Sequence, residues 1–295
     1  MKTFLKWLGR GALAIGVLLV VAAAVVYVVS ERKLNATYDV PVEAIAVPTD
    51  SASIAEGERL ARIRGCYNGC HGEAAEGGLF FDDPLLGTTY APDLTRVVHT
   101  MSDEQLVRVI RHGIRADGRS VMVMPSRDFY HLTDEDLGAI IAFLRSLPRS
   151  DGPEASVRLG PLGRTLFAVG EFRMAADEID HEAPPVDPGD GSDRRALGEY
   201  LARTTCAECH GANFEGNEGP PEATPNLRIV SAYTPEQFRT LMRTGEPLDG
   251  RDMRLMDDMI RKRYSLLTDA EVDGLYVYLT EGLAPAAEET AVAAD

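Results

Sequence analysis

The sequence predicts an all-α protein: an N-terminal transmembrane helix followed by two tandem copies of one small helical domain. Three observations point there. An uncharged apolar run near the N-terminus is long enough to cross a bilayer. One order of helices and loops occurs twice along the chain, and no stretch carries a competing strand signal.

The apolar run extends from Gly11 to Val29. At about 1.5 Å per residue it makes about 28 Å of helix, enough for the hydrocarbon core. Lys2, Lys6 and Arg10 precede it, while Glu31, Arg32 and Lys33 follow with little net charge. The positive-inside bias therefore places the N-terminus in the cytoplasm and residues 34–295 in the periplasm, with the run crossing a bacterial inner membrane once. A cleaved signal peptide is the competing reading. Ala22, Ala23 and Ala24 are small but lie inside the run, and its end, Tyr27-Val28-Val29-Ser30, is a poor cleavage site. Both readings export the rest of the chain.

The 295 residues have room for two ordinary domains, and 45% hydrophobic with 26% charged residues excludes global disorder. Aromatic residues make up only 7%, with Trp7 the single Trp, which suits a core completed by a non-protein group. Five cations against Glu31 give residues 1–33 a charge of +4, so the total of -16 leaves -20 on the remainder. That field repels nucleic acid and suits a protein partner with a basic docking face. Acidity serves solubility equally well.

All four Cys belong to two short clusters that end in His. The second, Cys206-Ala207-Glu208-Cys209-His210, is C-x-x-C-H, the attachment signature of c-type haem. Two thiols one helical turn apart add across neighbouring vinyl groups, and the adjacent His lies under the iron. The first, Cys66-Tyr67-Asn68-Gly69-Cys70-His71, has one extra residue between the thiols. Asn68-Gly69 is turn-prone and lets the extra residue bulge out. A Cys66–Cys70 disulfide and a zinc site are the alternatives, although zinc takes four ligands and only three are at hand.

The internal repeat gives the irregular cluster the same setting as the regular one. Gly57-Glu58-Arg59-Leu60-Ala61-Arg62, in a helix from Ser53 to Ile63, answers Gly198-Glu199-Tyr200-Leu201-Ala202-Arg203. Behind each cluster comes a Gly-rich loop, then Ala91-Pro92-Asp93-Leu94 against Thr224-Pro225-Asn226-Leu227. Helices with cap-like starts follow at Ser102 to Leu106 and Thr234 to Phe238. Asp117-Gly118-Arg119 matches Asp249-Gly250-Arg251, and closing helices begin at Thr133 and Thr268.

This order resembles the class I cytochrome c fold over residues 53–148 and 192–282, and is similar to membrane-anchored dihaem cytochromes and cytochrome subunits of periplasmic dehydrogenases. The resemblance implies two covalently attached haem c groups. It implies Cys66, Cys70, His71 and Met124 for the first, and Cys206, Cys209, His210 and Met259 for the second, with His and Met as axial ligands. Met124-Pro125 has the family's Met-Pro form, and Met122 is its rival. In the second half Met253, Met256 and Met259 compete. Counting back from Leu267 selects Met259, and counting forward from Asp249 selects Met256. The family also sets a Pro carbonyl against the proximal His, and Pro84 and Pro220 lie in the expected loops. His99, His112, His131 and His181 have no ligand-like spacing and read as ordinary residues.

Residues 1–33 are thus the anchor, 34–52 a stalk, 149–191 an interdomain segment with its joint at Asp187 to Gly191, and 283–295 an acidic tail. The expected function is electron transfer between redox protein partners, with no catalytic residues of its own. The alternatives are a haem subunit of a larger dehydrogenase or oxidase complex, and a dihaem redox enzyme such as a peroxidase, which needs an open iron position.

Overall fold

The computed structural model describes residues 2–42, 44–219 and 223–283, so Pro220 and the tail from residue 284 lie outside the described residues. In chain order the helices are α1 (Lys2–Leu34), α2 (Ser51–Ile63), α3 (Leu94–Val97), α4 (Asp103–His112), α5 (Ser126–Phe129) and α6 (Asp134–Ser146), then α7 (Pro161–Val169), α8 (Arg194–Leu201), α9 (Ala207–His210), α10 (Pro235–Thr244), α11 (Leu255–Lys262) and α12 (Asp269–Val277). Three strands accompany them: β1 (Gly78–Asp83), β2 (Gly87–Ala91) and β3 (Ser156–Leu159). The fold is mostly helical, as the periodicity predicts.

The strands depart from that expectation. They form one antiparallel sheet in the order β1-β2-β3. Leu79, Phe80 and Phe81 are consecutive apolar residues, and the β1–β2 register shifts between Leu79 and Phe81. That irregularity removes the period-two alternation by which a strand is read.

The chain divides into two compact units. The first comprises Met1–Ile45, Cys70–Arg127 and Leu147–His181, and the second Ala46–Gly69, Asp128–Ser146 and Glu182–Asp295. In the first unit α1 is one unbroken helix, long and apolar enough to cross a membrane, with none of its most apolar window buried. The segment read as a stalk is held down: Thr37 bridges to Arg119, and Tyr38 donates its hydroxyl to Asp177 Oδ1 at 2.7 Å. Ser102 and Gln105 form a reciprocal capping box at the start of α4. The end of α4 brings together two His that sequence spacing left apart. His181 Nε2 lies 3.1 Å from the Ala176 carbonyl and donates to it. In neutral His181 the Nδ1 then accepts, so His112 Nδ1, at 2.9 Å, donates.

In the second unit the same crossing occurs twice. α2 crosses α6 with Gly57 against the backbone of Ala139, where a Cβ would lie 1.9 Å from the carbonyl oxygen. α8 crosses α12 with Gly198 against Gly274, where a Cβ would lie 2.0 Å from the oxygen. Leu137, Ile140, Ile141 and Leu144 are buried on α6, and Val272 and Leu275 on α12. Capping boxes start α10 (Thr234 with Gln237) and α12 (Thr268 with Glu271). Polar side chains join the two helix pairs. Arg64, whose side chain is 1% exposed, places Nη2 3.3 Å from Asp136 Oδ2 and 3.4 Å from Thr204 Oγ1. The Tyr200 hydroxyl donates to the same Asp136 oxygen, and Arg59 reaches both Glu271 carboxylate oxygens at 2.8 and 2.9 Å.

Two predictions follow from these contacts. Replacing a helix Gly by Ala gains about 1 kcal/mol of intrinsic propensity. At Gly57 and Gly198 a backbone carbonyl stands where the methyl would go, so overpacking of about 1–3 kcal/mol or more wins. Gly57→Ala and Gly198→Ala are each expected to lower the denaturant midpoint. His112 is held at about 4 by burial and then by the charges of His181, Arg111 and Arg108. Its folded value lies below the unfolded 6.5, so its contribution is complete above that pH and is lost as pH falls toward about 4. His112→Gln is expected to flatten the decline in stability over that window, read from denaturant midpoints at successive pH values.

Candidate haem sites

The second cluster lies on helical backbone. α8 runs into a wider, π-type turn at Ala202–Cys206 and then α9, which puts the Cys206 and Cys209 thiols one turn apart on one face. His210 Nδ1 donates to the Pro225 carbonyl at 2.9 Å, which leaves Nε2 as the lone-pair nitrogen. Burial lowers the pKa of His210, with the Pro225 carbonyl partly opposing, so the ring is neutral at pH 7 and of the form that binds metal. Burial pushes the Cys206 thiol up to about 11. The Tyr264 hydroxyl donates to the Thr205 carbonyl at 2.8 Å, and burial raises its pKa far above the phenolic value.

These residues open onto a shared cleft of about 100 Å³. Cys206, Cys209 and His210 line it together with Met253, Met256 and Met259, and Leu227, Phe238, Leu241 and Leu275 supply apolar walls. Among the described residues Arg251 is the single charged one in the lining. Two thiols, a neutral imidazole with a free Nε2, thioethers and an apolar enclosure fit haem c. Met256 and Met259 share one face of α11 at three-residue spacing, so both of the sequence candidates reach the cleft.

The first cluster departs where its sequence departs. α2 stops at Ile63, and the chain turns through Gly65 at φ 72° and Asn68 at φ 54°. Asn tolerates that left-handed conformation and absorbs the extra residue. Cys66 N donates back to Ala61 O at 2.9 Å. Cys66 falls in the second unit, while Cys70, His71 and Met124 fall in the first. His71 Nδ1 donates to the Pro92 carbonyl at 3.0 Å, repeating the His210 geometry, and burial likewise lowers its pKa. The Met122 to Met124 stretch is pinned at its start, where Val121 N donates to Gly113 O at 2.7 Å, and just beyond, where Ser126 Oγ donates to Val109 O at 3.2 Å. Among the described residues no group of three or more His, Cys, Asp and Glu is gathered to hold a metal ion, which leaves the zinc alternative without a site.

The proline partners differ from those expected. Pro92, and not Pro84, meets the His71 imidazole, and Pro225 meets that of His210; Pro220 lies outside the described residues. Pro84 sits in the turn between β1 and β2, carried away by the hairpin. The signal was in the repeat itself, since Pro92 and Pro225 occupy matched positions behind the two clusters. Arg251, matched to Arg119, carried a similar signal.

Comparison with known proteins agrees with this geometry. The family model of Cytochrome C oxidase, cbb3-type, subunit III matches residues 52–144, and the Cytochrome c model matches residues 196–282. The Fructose dehydrogenase cytochrome subunit of Gluconobacter japonicus is 25% identical over 266 residues, 81% of this chain and 54% of that protein. The Alcohol dehydrogenase (quinone), cytochrome c subunit of Gluconobacter oxydans (strain 621H) is 31% identical over 185 residues, 56% of this chain and 36% of that protein. The Gluconate 2-dehydrogenase cytochrome c subunit of Pantoea cypripedii is 31% identical over 184 residues, 55% and 38% of the two chains. The chain thus spans about half or less of the length of these relatives.

Two cytochrome c-type domains define the class: the protein is a c-type cytochrome whose two domains imply two covalently bound haem c groups. Within that class it is a dihaem cytochrome similar to the cytochrome subunits of dehydrogenases, with an apolar N-terminal helix that is a candidate membrane anchor. Intact mass after denaturation is expected to exceed the polypeptide by two haems. The double variant Cys206→Ala/Cys209→Ala is expected to keep only one.

Proposed function

We propose that the chain is a membrane-tethered periplasmic electron carrier that works as the haem subunit of a dehydrogenase complex. The observation that carries this reading is the pairing of each carbonyl-oriented His with a Met-bearing stretch that precedes a closing helix. When bound, haem c supplies a reversible one-electron iron couple. Cys66, Cys70, Cys206 and Cys209 would hold it covalently. His71 and His210 offer Nε2 to the iron in an orientation fixed by Pro92 and Pro225. Met124 and Met259 would supply the thioether ligands, with Met256 the alternative to Met259, and an iron so ligated would be disfavoured for peroxide chemistry. The apolar cleft walls exclude water, and a Met axial ligand favours a raised potential.

The repeat supports domain boundaries at 53–148 and 192–282, joined by residues 149–191. Single-pass insertion in the bacterial inner membrane, with residues 34–295 in the periplasm, follows from the Lys and Arg asymmetry around the apolar run. Trp7 and Tyr27 are exposed near its two ends, twenty residues apart, about 30 Å of helix, as an aromatic belt requires. The net acidic surface suits a basic docking face on the redox partner.

Extraction in mild detergent is expected to yield the protein together with a larger catalytic subunit, and that subunit's substrate is expected to reduce both haems. A monomer that no dehydrogenase reduces would overturn the reading. Met259→Ala is expected to abolish the methionine–iron charge-transfer band of the second haem and to lower its potential, while Met256→Ala leaves both intact. The reverse pattern would give the ligand role to Met256.

A further inference from the structure

Beyond the anchor itself, we propose that the outer face of α7 and the β1–β2 turn beside it lie in the headgroup layer of the membrane that α1 crosses. The inference rests on the reading of α1 as a membrane span. All the residues concerned belong to the first unit.

Two half-buried cations fix the height of α7. The Arg164 guanidinium stacks 4.5 Å from the Tyr27 ring centre and reaches Ser30 Oγ and Glu31 Oε1 at 2.8 Å each. Lys33 Nζ donates to the carbonyls of Phe167 and Ala168 at 3.1 Å, where a cation also meets the negative end of the α7 dipole. Tyr27 to Lys33 is the stretch in which the apolar run of α1 ends and charge resumes. α7 is therefore held at the level where the span leaves the hydrocarbon.

The faces of α7 divide accordingly. Gly163 and Phe167 are buried, and Arg164 points to α1. Leu162, Leu166 and Val169 fall at i, i+4 and i+7 on a third stripe. Leu162 is 42% and Val169 68% exposed, and Phe172, just beyond, is 41% exposed. The hairpin turn continues this surface. Leu162 N donates to Leu85 O at 3.0 Å, and a Cβ on Gly163 would lie 2.0 Å from Leu86 O, so the turn touches the helix directly. Leu85 is 57% exposed. Two of the nearby carboxylates are engaged by the hairpin, Asp83 Oδ1 accepting from Leu85 N and Leu86 N and Asp82 Oδ1 from Thr88 Oγ1, while Glu171, beside Phe172, is exposed. Arg32 and Arg173 are exposed close by in sequence and suit anionic headgroups. Isolated exposed Leu and Val need no explanation, but an apolar stripe continuous with a membrane span does. Lipid is the occupant that continuity selects, and an amphipathic surface of this kind lies within the interface.

The test uses the full-length haem-loaded protein in vesicles of phosphatidylethanolamine and phosphatidylglycerol. A fraction of the lipid carries a photoreactive group near the glycerol, and labelled peptides are mapped by mass spectrometry. Label is expected on α1, on residues 161–172 and on residues 84–86, and not on residues 194–283. Leu162→Asp/Val169→Asp is expected to lose the label at 161–172 while keeping that on α1 and an unchanged haem spectrum. Label confined to α1 in the wild-type protein would overturn the proposal and leave the anchor standing. Label on neither would overturn the anchor and the proposal together.

Discussion

Gly57 and Gly198 are the positions on which the rest of the architecture depends, because at each a carbonyl from the crossing helix occupies the space of a side chain. The first and last helices of each repeat approach this closely only without a Cβ. Once the crossing is set, the end of the first helix delivers the Cys-Cys-His cluster and the start of the closing helix fixes where the Met-bearing loop must end. In the second repeat this places Cys206, Cys209 and His210 on one side of a cleft and Met253, Met256 and Met259 in the same lining. The cleft is thus a result of backbone proximity elsewhere, and its chemistry is carried by side chains that the crossing does not touch.

Much of this was legible because it depends on local or repeated pattern. Capping boxes at Ser102, Thr234 and Thr268 announced three helix starts, and the matched segments around both clusters announced the duplication. The site residues of the second repeat could be chosen because thiol spacing and the position of a Met before a closing helix are properties of the chain itself. What escaped depends on contacts remote in sequence or on broken periodicity. The sheet was hidden by the consecutive Leu79, Phe80 and Phe81 and by a strand, β3, contributed from far along the chain. His112 and His181 meet across 69 residues, which no spacing rule links. Pro84 was the wrong choice because loop membership alone does not say which carbonyl turns toward an imidazole.

The two copies have diverged in how they reach the same end. Three residues separate Arg62 from Cys66 where two separate Arg203 from Cys206, and a further residue lies between the first pair of thiols. The regular copy keeps helical backbone through its cluster, with a π-type turn at Ala202–Cys206. The irregular copy abandons the helix and uses Gly65 and Asn68 in left-handed conformation. Both nevertheless present an imidazole whose Nδ1 is satisfied by a proline carbonyl. The orientation of the His has been kept while the path to it has changed.

Arg59, Arg64, Asp136, Tyr200, Thr204 and Glu271 also bear on how such a chain can be inherited. These groups belong to both copies and bond to one another, Arg64 through Nη2, and a buried polar group left without its partner costs about 1–3 kcal/mol. A half exchanged from a relative by recombination would arrive without the matching Tyr200, Thr204 or Glu271 and carry that penalty at once. The shared ion pairs and hydrogen bonds thus tie the two halves together, so that a change in one alters the partners of the other.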